Sequence, residues 1–150
     1  MDTPKRFQLT PAAYVILRRE NTIFMGKRQN TPWYPDYYGV PAGHIDGHES
    51  AKAAAVREAK EEAGIDININ DLKFVLAMHR SCDDEFGYRE YVDLYFQAEK
   101  WQGEPHNAEL KKCSEVKWLD PNNLPENIVP DVRKALESIS RNEMYSEVGW

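Results

Sequence analysis

Cysteine, long apolar runs and excess positive charge are all scarce in this chain. Its two cysteines, Cys82 and Cys113, form no C-x-x-C pair, which predicts reduced thiols rather than a disulfide framework. The apolar runs have the length of strands, and the N-terminal MDTPKRFQLTP lacks the apolar core of a secretory signal. Neither secretion nor a membrane partner is therefore indicated, and we expect a cytoplasmic protein.

The charge balance is acidic: 19 basic against 25 acidic residues give a formal net charge of -6. Such a chain is poorly suited to gripping duplex nucleic acid through its phosphates. If it acts on a phosphate compound, it needs bridging cations, because its own carboxylates repel the substrate. With 150 residues, we expect residues 1–150 to form one domain.

The order of the sequence patterns predicts a fold of the α/β or α+β class with a mixed β-sheet between helices. β-branched and aromatic residues predict strands at 12–18 and 22–27, with a short strand near 37–40. An alanine-rich helix follows at 49–63, and Gly64 is placed as its C-cap. Three further strands and a final amphipathic helix are predicted within DLKFVLAMHR, YREYVDLYFQAEKW, SEVKWLD and DVRKALESISRNE.

Three glutamates of the first helix, Glu58, Glu61 and Glu62, are spaced three and four residues apart, so they share one face and repel one another. One interpretation is a solvated surface where Arg57 and the neighbouring lysines relieve the repulsion. The other is a site for a divalent cation, since Mg²⁺ prefers oxygen ligands. Composition alone leaves both interpretations open.

The wider spacing favours the metal site. GHIDGHESAKAAAVREAKEEAGI, from Gly43 to Ile65, resembles the signature of the Nudix hydrolases: G, five residues, E, seven residues, then R-E-U-x-E-E-x-G-U with U bulky and apolar. Ala59, at the first U, is the one mild departure. The resemblance implies an α/β/α sandwich, with this motif at 43–65, that hydrolyses a diphosphate bond in a nucleoside diphosphate linked to another moiety.

The same resemblance implies roles within the motif. The metal ligands for Mg²⁺ or Mn²⁺ would be the carbonyl of Gly43 and the carboxylates of Glu58, Glu61 and Glu62. Arg57 would orient a catalytic glutamate. Glu49 would help to fix the loop of the motif or the groups around the metal ligands. Two alternatives stay open: Arg57 pairs only with Glu61 one turn away, and Glu49 is simply an N-terminal helix residue favoured by the helix dipole.

Outside the motif, KWQGEPHNAEL resembles the W-x-G-E-P segment of MutT-type nucleoside triphosphate pyrophosphohydrolases. The matching loop glutamate is Glu109, as general base or as ligand to a substrate-bound metal; Glu58 is the competing base. Candidate substrate-binding residues are Arg28 for a phosphate, Trp33 and Tyr37 for stacking on a base, and Asn127 of NNLPENIVP for the base edge.

The expected partner is a small nucleotide, bound by a monomer or a homodimer. The W-x-G-E-P segment favours a nucleoside triphosphate, oxidised or not, cleaved to monophosphate and pyrophosphate. ADP-ribose or a nucleotide sugar is the alternative substrate, although the proline typical of ADP-ribose pyrophosphatases about fifteen residues beyond the motif is missing. A nucleotide-sensing module without catalysis is the alternative from another class.

Overall fold

Eight strands form one mixed sheet in the computed structural model, which describes residues 1–150. The strands are β1 (Thr10–Arg19), β2 (Thr22–Arg28), β3 (Tyr38–Gly39), β4 (Ala42–His44), β5 (Lys73–Asp84), β6 (Gly87–Ala98), β7 (Cys113–Leu119) and β8 (Tyr145–Val148). The helices are α1 (Ala51–Ala63) and α2 (Pro130–Ser140), with a short 3₁₀ turn at Ile69–Asp71. No helix combines the length and apolar character needed to cross a bilayer.

The spatial order of the main strands is β3-β2-β1-β6-β5-β8, with β4 paired to β1 and β7 paired to β2. The β1–β6 and β5–β8 pairs are parallel, whereas the other pairs are antiparallel. The prediction of a mixed sheet is confirmed. The predicted strands are all present, while β4 and β8 were not predicted.

Alternate side chains of the central strand β1 point to opposite faces of the sheet, as the strand period of two requires. Ala13, Val15 and Leu17 belong to one core cluster, which also contains the buried alanines of α1. Tyr14 and Ile16 belong to the other, which contains the apolar face of α2. One helix therefore covers each face of the sheet, and the α/β/α sandwich is confirmed.

The ends of α1 follow from its caps. Ser50 is the N-cap, with extended backbone and its Oγ accepting a hydrogen bond from the amide of Ala53 at 3.1 Å. Gly64 ends the helix in the left-handed conformation at φ 69°, which favours glycine. The predicted start at residue 49 is wrong, because the capping side chain is that of Ser50, so Glu49 precedes the helix.

Candidate active site

The C-terminal half of α1 lies against β4, and the closest approach is between Glu58 and Gly43. Glu58 is 8% exposed, and its carboxylate covers the Gly43 backbone. A Cβ atom at position 43 would stand 2.0 Å from Glu58 Oε1. The glycine is thus required by this contact, since any side chain there would displace the carboxylate.

Arg57 connects the carboxylates of the motif. Its Nε and Nη2 donate to both carboxylate oxygens of Glu49 at 3.1 and 2.7 Å. Nη1 donates to Glu58 Oε1 at 2.7 Å and to Glu61 Oε2 at 3.4 Å, and Nη2 also donates to the His44 carbonyl at 3.1 Å. Hydrogen bonding to Arg57 holds the pKa of Glu49 below its usual value. Glu49 therefore orients Arg57, and Arg57 in turn orients Glu58.

The contacts of Arg57 and Glu49 bear on both open alternatives. Arg57 does not pair with Glu61 alone, because its shorter bonds go to Glu49 and Glu58. Glu49 does not act as a helix residue, because it lies before the N-cap and its Oε1 instead accepts from the Asp46 amide at 2.8 Å.

Glu62 makes no hydrogen bond to Arg57, and it lines a small cavity together with Glu109. Its Oε2 accepts a hydrogen bond from the amide of Ala42 at 2.6 Å. Burial raises the pKa of Glu62 to about 8, and the nearby charges of Glu58 and Glu109 act in the same direction. Burial also raises the pKa of Glu58. Burial is therefore the main reason that the pKa values of both carboxyl groups lie above their usual value.

The structure does not gather three or more His, Cys, Asp or Glu side chains into a group that could hold a metal ion unaided. Arg57 bridges Glu58 and Glu61, and Glu62 is turned to Ala42. This differs from the expected convergence of the three carboxylates. The hard carboxylate oxygens of Glu58 and Glu62 nevertheless fit Mg²⁺ or Mn²⁺, which use few protein carboxylates and complete their shell with substrate oxygens and water.

Glu109 reaches this cavity because its loop is anchored to the end of α1. The amides of His106 and Ala108 donate to the carbonyls of Ala63 and Glu62 at 3.1 and 3.3 Å. The Glu109 amide donates to Asn107 Oδ1 at 3.2 Å. The expected proximity of Glu109 to the motif is thus observed.

A larger cavity of about 440 Å³ adjoins the motif at Gly43. Its wall contains four aromatic side chains and three arginines: Tyr14, Trp33, Phe86, Tyr91, Arg28, Arg80 and Arg89. Arg28 also lines the small cavity beside Glu62, so it lies between the two cavities.

The three arginines differ in their partners. Arg80 and Arg89 are paired with Asp93 and Asp84 at 2.7 and 2.6 Å. Arg28 has only neutral partners: its Nε donates to the Trp33 carbonyl at 2.9 Å, and Nη2 donates to a threonine hydroxyl at 3.4 Å. Burial lowers the pKa of Arg28. Among the three arginines of this wall, Arg28 is therefore the one whose positive charge has no carboxylate partner.

Among the predicted substrate-binding residues, Arg28 and Trp33 line the cavity, whereas Tyr37 and Asn127 lie outside both cavity walls. The Tyr37 ring packs on Tyr34, with ring centres 5.4 Å apart. The Asn127 side-chain amide donates to the Asp36 carbonyl at 2.8 Å. This bond fixes the loop that carries Trp33 and Tyr37.

Five of the seven aromatic and arginine residues in this wall were not predicted from the sequence: Tyr14, Arg80, Phe86, Arg89 and Tyr91. One signal was present. Arg80 and Asp93 are charged residues in otherwise apolar strand segments, at positions where the alternation of the strand predicts a buried side chain. Buried charges of this kind occur mainly as ion pairs or at functional sites.

A mixed sheet between two helices, with carboxylates at the end of one helix beside a cavity of about 440 Å³, is the arrangement expected of the hydrolase family that the motif resembles. A family model described as NUDIX domain matches residues 8–139. The chain therefore belongs to the NUDIX family, and it is an enzyme of that family, as the motif predicted.

Individual relatives agree with this assignment. The chain is 32% identical over 123 residues to an ADP-ribose pyrophosphatase of Methanocaldococcus jannaschii, covering 80% of this chain and 68% of the relative. It is 28% identical over 128 residues to a putative 8-oxo-dGTP diphosphatase of Bacillus subtilis, covering 85% and 77%. The crystal structure of a MutT NUDIX hydrolase from Burkholderia pseudomallei superimposes with a TM-score of 0.78 at 25% identity, covering 87% of this chain and 98% of that one.

Proposed function

We propose that this enzyme hydrolyses a nucleoside triphosphate, oxidised or not, to the monophosphate and pyrophosphate with the help of Mg²⁺ or Mn²⁺. The observation that carries the proposal is the position of Arg28. Arg28 has no carboxylate within ion-pairing distance, and it lies between the small cavity of Glu62 and Glu109 and the large cavity of Trp33. A molecule with a polyphosphate at one end and a ring at the other fits this order.

The metal ligands in this proposal are the carbonyl of Gly43 and the carboxylates of Glu58, Glu61 and Glu62. A divalent cation bound there would offset the phosphate charge and lower the pKa of an attacking water. Arg57 holds Glu58 in position, and Glu49 holds Arg57. These contacts keep the carboxylates from turning toward bulk solvent before the substrate arrives.

In the reaction, the oxygen of a water molecule forms a bond to phosphorus. The anhydride P–O bond breaks, and its electron pair leaves with the departing phosphate group. The water proton passes to a carboxylate, and two are placed near the site, Glu58 and Glu109. Because Glu58 is also a proposed metal ligand, Glu109→Gln is the informative variant: loss of the base lowers kcat more than it raises KM, and an unchanged kcat would leave Glu58 as the base.

ADP-ribose is the second candidate substrate. The observation in its favour is the 32% identity to the Methanocaldococcus jannaschii ADP-ribose pyrophosphatase. Such a substrate would present the same diphosphate to Arg28 and the carboxylates, so the site geometry accommodates the bond to be cleaved in either substrate.

The decisive experiment is a panel of nucleoside triphosphates, 8-oxo-dGTP and ADP-ribose with Mg²⁺ or Mn²⁺, with the products identified by chromatography. We expect monophosphate and pyrophosphate from a triphosphate. Ribose 5-phosphate and AMP as the main products would replace this proposal with the ADP-ribose reaction. Absence of turnover with every compound would contradict both.

Glu62→Gln removes one ligand charge at nearly constant volume. We expect a loss of about 10- to 100-fold or more in turnover, with an unchanged circular dichroism spectrum. Glu137→Gln, on the exposed side of α2, is the matched control and keeps the original rate. A Glu62→Gln enzyme with the original rate at low metal concentration would refute the metal-binding role.

A further inference from the structure

Arg80 is a buried arginine that lines the large cavity. Its residue exposure is 5%, and its Nε and Nη2 donate to the two oxygens of Asp93 at 2.7 and 3.3 Å. Nε also lies 3.6 Å from an oxygen of Asp131 at the start of α2. The guanidinium lies 4.1 Å from the ring centre of Tyr91 and 5.5 Å from that of Trp33. Carboxylates and rings together fix its orientation.

The remaining nitrogen of this guanidinium, Nη1, makes no hydrogen bond within the protein. It is not among the buried side-chain atoms without a partner, which are Arg89 Nε, Tyr95 OH and Ser138 Oγ. Nη1 is therefore accessible, and the cavity that Arg80 lines gives the access. Two N–H groups on a rigidly held nitrogen are available to a molecule bound there.

The charge around Arg80 favours an uncharged partner. Asp93 and Asp131 place two carboxylates beside one guanidinium, so this end of the cavity does not attract an additional anion. Arg28, with no carboxylate partner, is better suited to the phosphates. The group that faces Nη1 is thus expected on the neutral part of the ligand, between the rings of Trp33 and Tyr91.

We propose that Arg80 determines base specificity by donating from Nη1 to an oxo group of the nucleobase. This inference rests on the proposed function, because it assumes that a nucleotide places its base in the large cavity. An arginine can only donate hydrogen bonds. Guanine and hypoxanthine present an oxygen at C6, whereas adenine presents an amino group, which would set one donor against another.

The competing explanation is that Arg80 only ties α2 to the sheet through Asp131. That role is indifferent to the base, so it predicts no difference between oxo and amino purines. A comparison of ligands that differ at this edge of the base therefore separates the two explanations.

The test measures the dissociation constants of inosine 5′-monophosphate and adenosine 5′-monophosphate without metal, by tryptophan fluorescence. The two ligands share the sugar and the phosphate, so their ratio reports on the base. We expect inosine monophosphate to bind the original protein about tenfold more tightly or better, given the discrimination typical of arginine at an oxo edge. Equal binding, or no binding of either ligand, would overturn the inference.

Arg80→Lys is the informative variant, because lysine retains the charge beside Asp93 but has a single nitrogen, which that pair occupies. We expect the ratio to fall to about twofold or less. Arg133→Lys is the matched control: this half-buried arginine of α2 donates to the Pro125 carbonyl, lies outside the large cavity and should keep the ratio. A full ratio in folded Arg80→Lys would also overturn the inference.

If Arg80→Lys does not fold, the original protein still provides a test with purine riboside 5′-monophosphate, which has hydrogen at C6. We expect it to bind as weakly as the adenosine compound. These measurements need neither metal nor turnover. A failure of hydrolysis in the substrate panel is therefore distinguishable from a failure of base discrimination.

Discussion

At the scale of single residues, the contact between Gly43 and Glu58 links the motif's first glycine to its central glutamate. Glu58 is held by Arg57 from one side and by the bare backbone of Gly43 from the other. The carboxylate is the far end of a flexible side chain, so it can move if position 43 acquires a Cβ. The fold tolerates that movement, whereas a precisely placed ligand does not.

Gly43→Ala is therefore expected to lower kcat/KM by about tenfold or more while changing the unfolding midpoint little. Gly47→Ala is the matched control, because a Cβ at position 47 would meet nothing within 4 Å. Steady-state kinetics and thermal melts of the two variants measure the effect. Equal activity in both would contradict the proposed role of the Gly43–Glu58 contact.

At the scale of elements, α1 does more than carry the glutamates. The carbonyls of its last two residues, Glu62 and Ala63, accept from the amides of Ala108 and His106 and so anchor the loop that brings Glu109 to the cavity. The left-handed backbone of Gly64 also leaves room for the His106 ring, which a Cβ would approach to 2.1 Å. The end of α1 and the loop that carries Glu109 are therefore in direct contact.

Gly64→Ala tests this coupling. We expect the strain of a left-handed alanine, about 1–2 kcal/mol, together with a displacement of His106 and a lower kcat. Gly87→Ala is the matched control for stability, because Gly87 also has positive φ, at 97°, but has open space around its missing Cβ. Urea unfolding gives the stability of both variants. A Gly64→Ala enzyme with full kcat would show that the loop does not depend on this cap.

At the scale of the whole molecule, the two core clusters share the central strand β1. Neither helix has another surface on which to bury its apolar side, so loss of the sheet removes both clusters together. The proposal that residues 1–150 form one domain is consistent with this arrangement.

We expect one cooperative unfolding transition, in which far-ultraviolet circular dichroism and tryptophan fluorescence give the same urea midpoint. Trp33 reports from the α2 side of the sheet, and Trp101 and Trp118 report from the α1 side. Two midpoints differing beyond experimental error would contradict a single cooperative unit.

The elements with strong local signals were predictable. Alanine content and the glycine cap predicted α1, and the apolar stripe of Val132, Ala135, Leu136 and Ile139 predicted α2. β8 was not predictable, because it has four residues, of which only Ser146 is buried, and it forms by pairing with β5. The start of α1 was misplaced because Glu49 and Ser50 are both suited to the beginning of a helix, and only the capping bond of Ser50 distinguishes them.

The sequence by itself determined the chemistry available to this protein: the spacing of Glu58, Glu61 and Glu62 places them on one helix face, because the helix period is a local property. Only the tertiary structure decided which of these groups meet others. It brought Glu109 beside Glu62, gave Arg80 a carboxylate partner and left Arg28 without one. Such pairing and burial depend on contacts between residues far apart in the chain, and no local pattern encodes them.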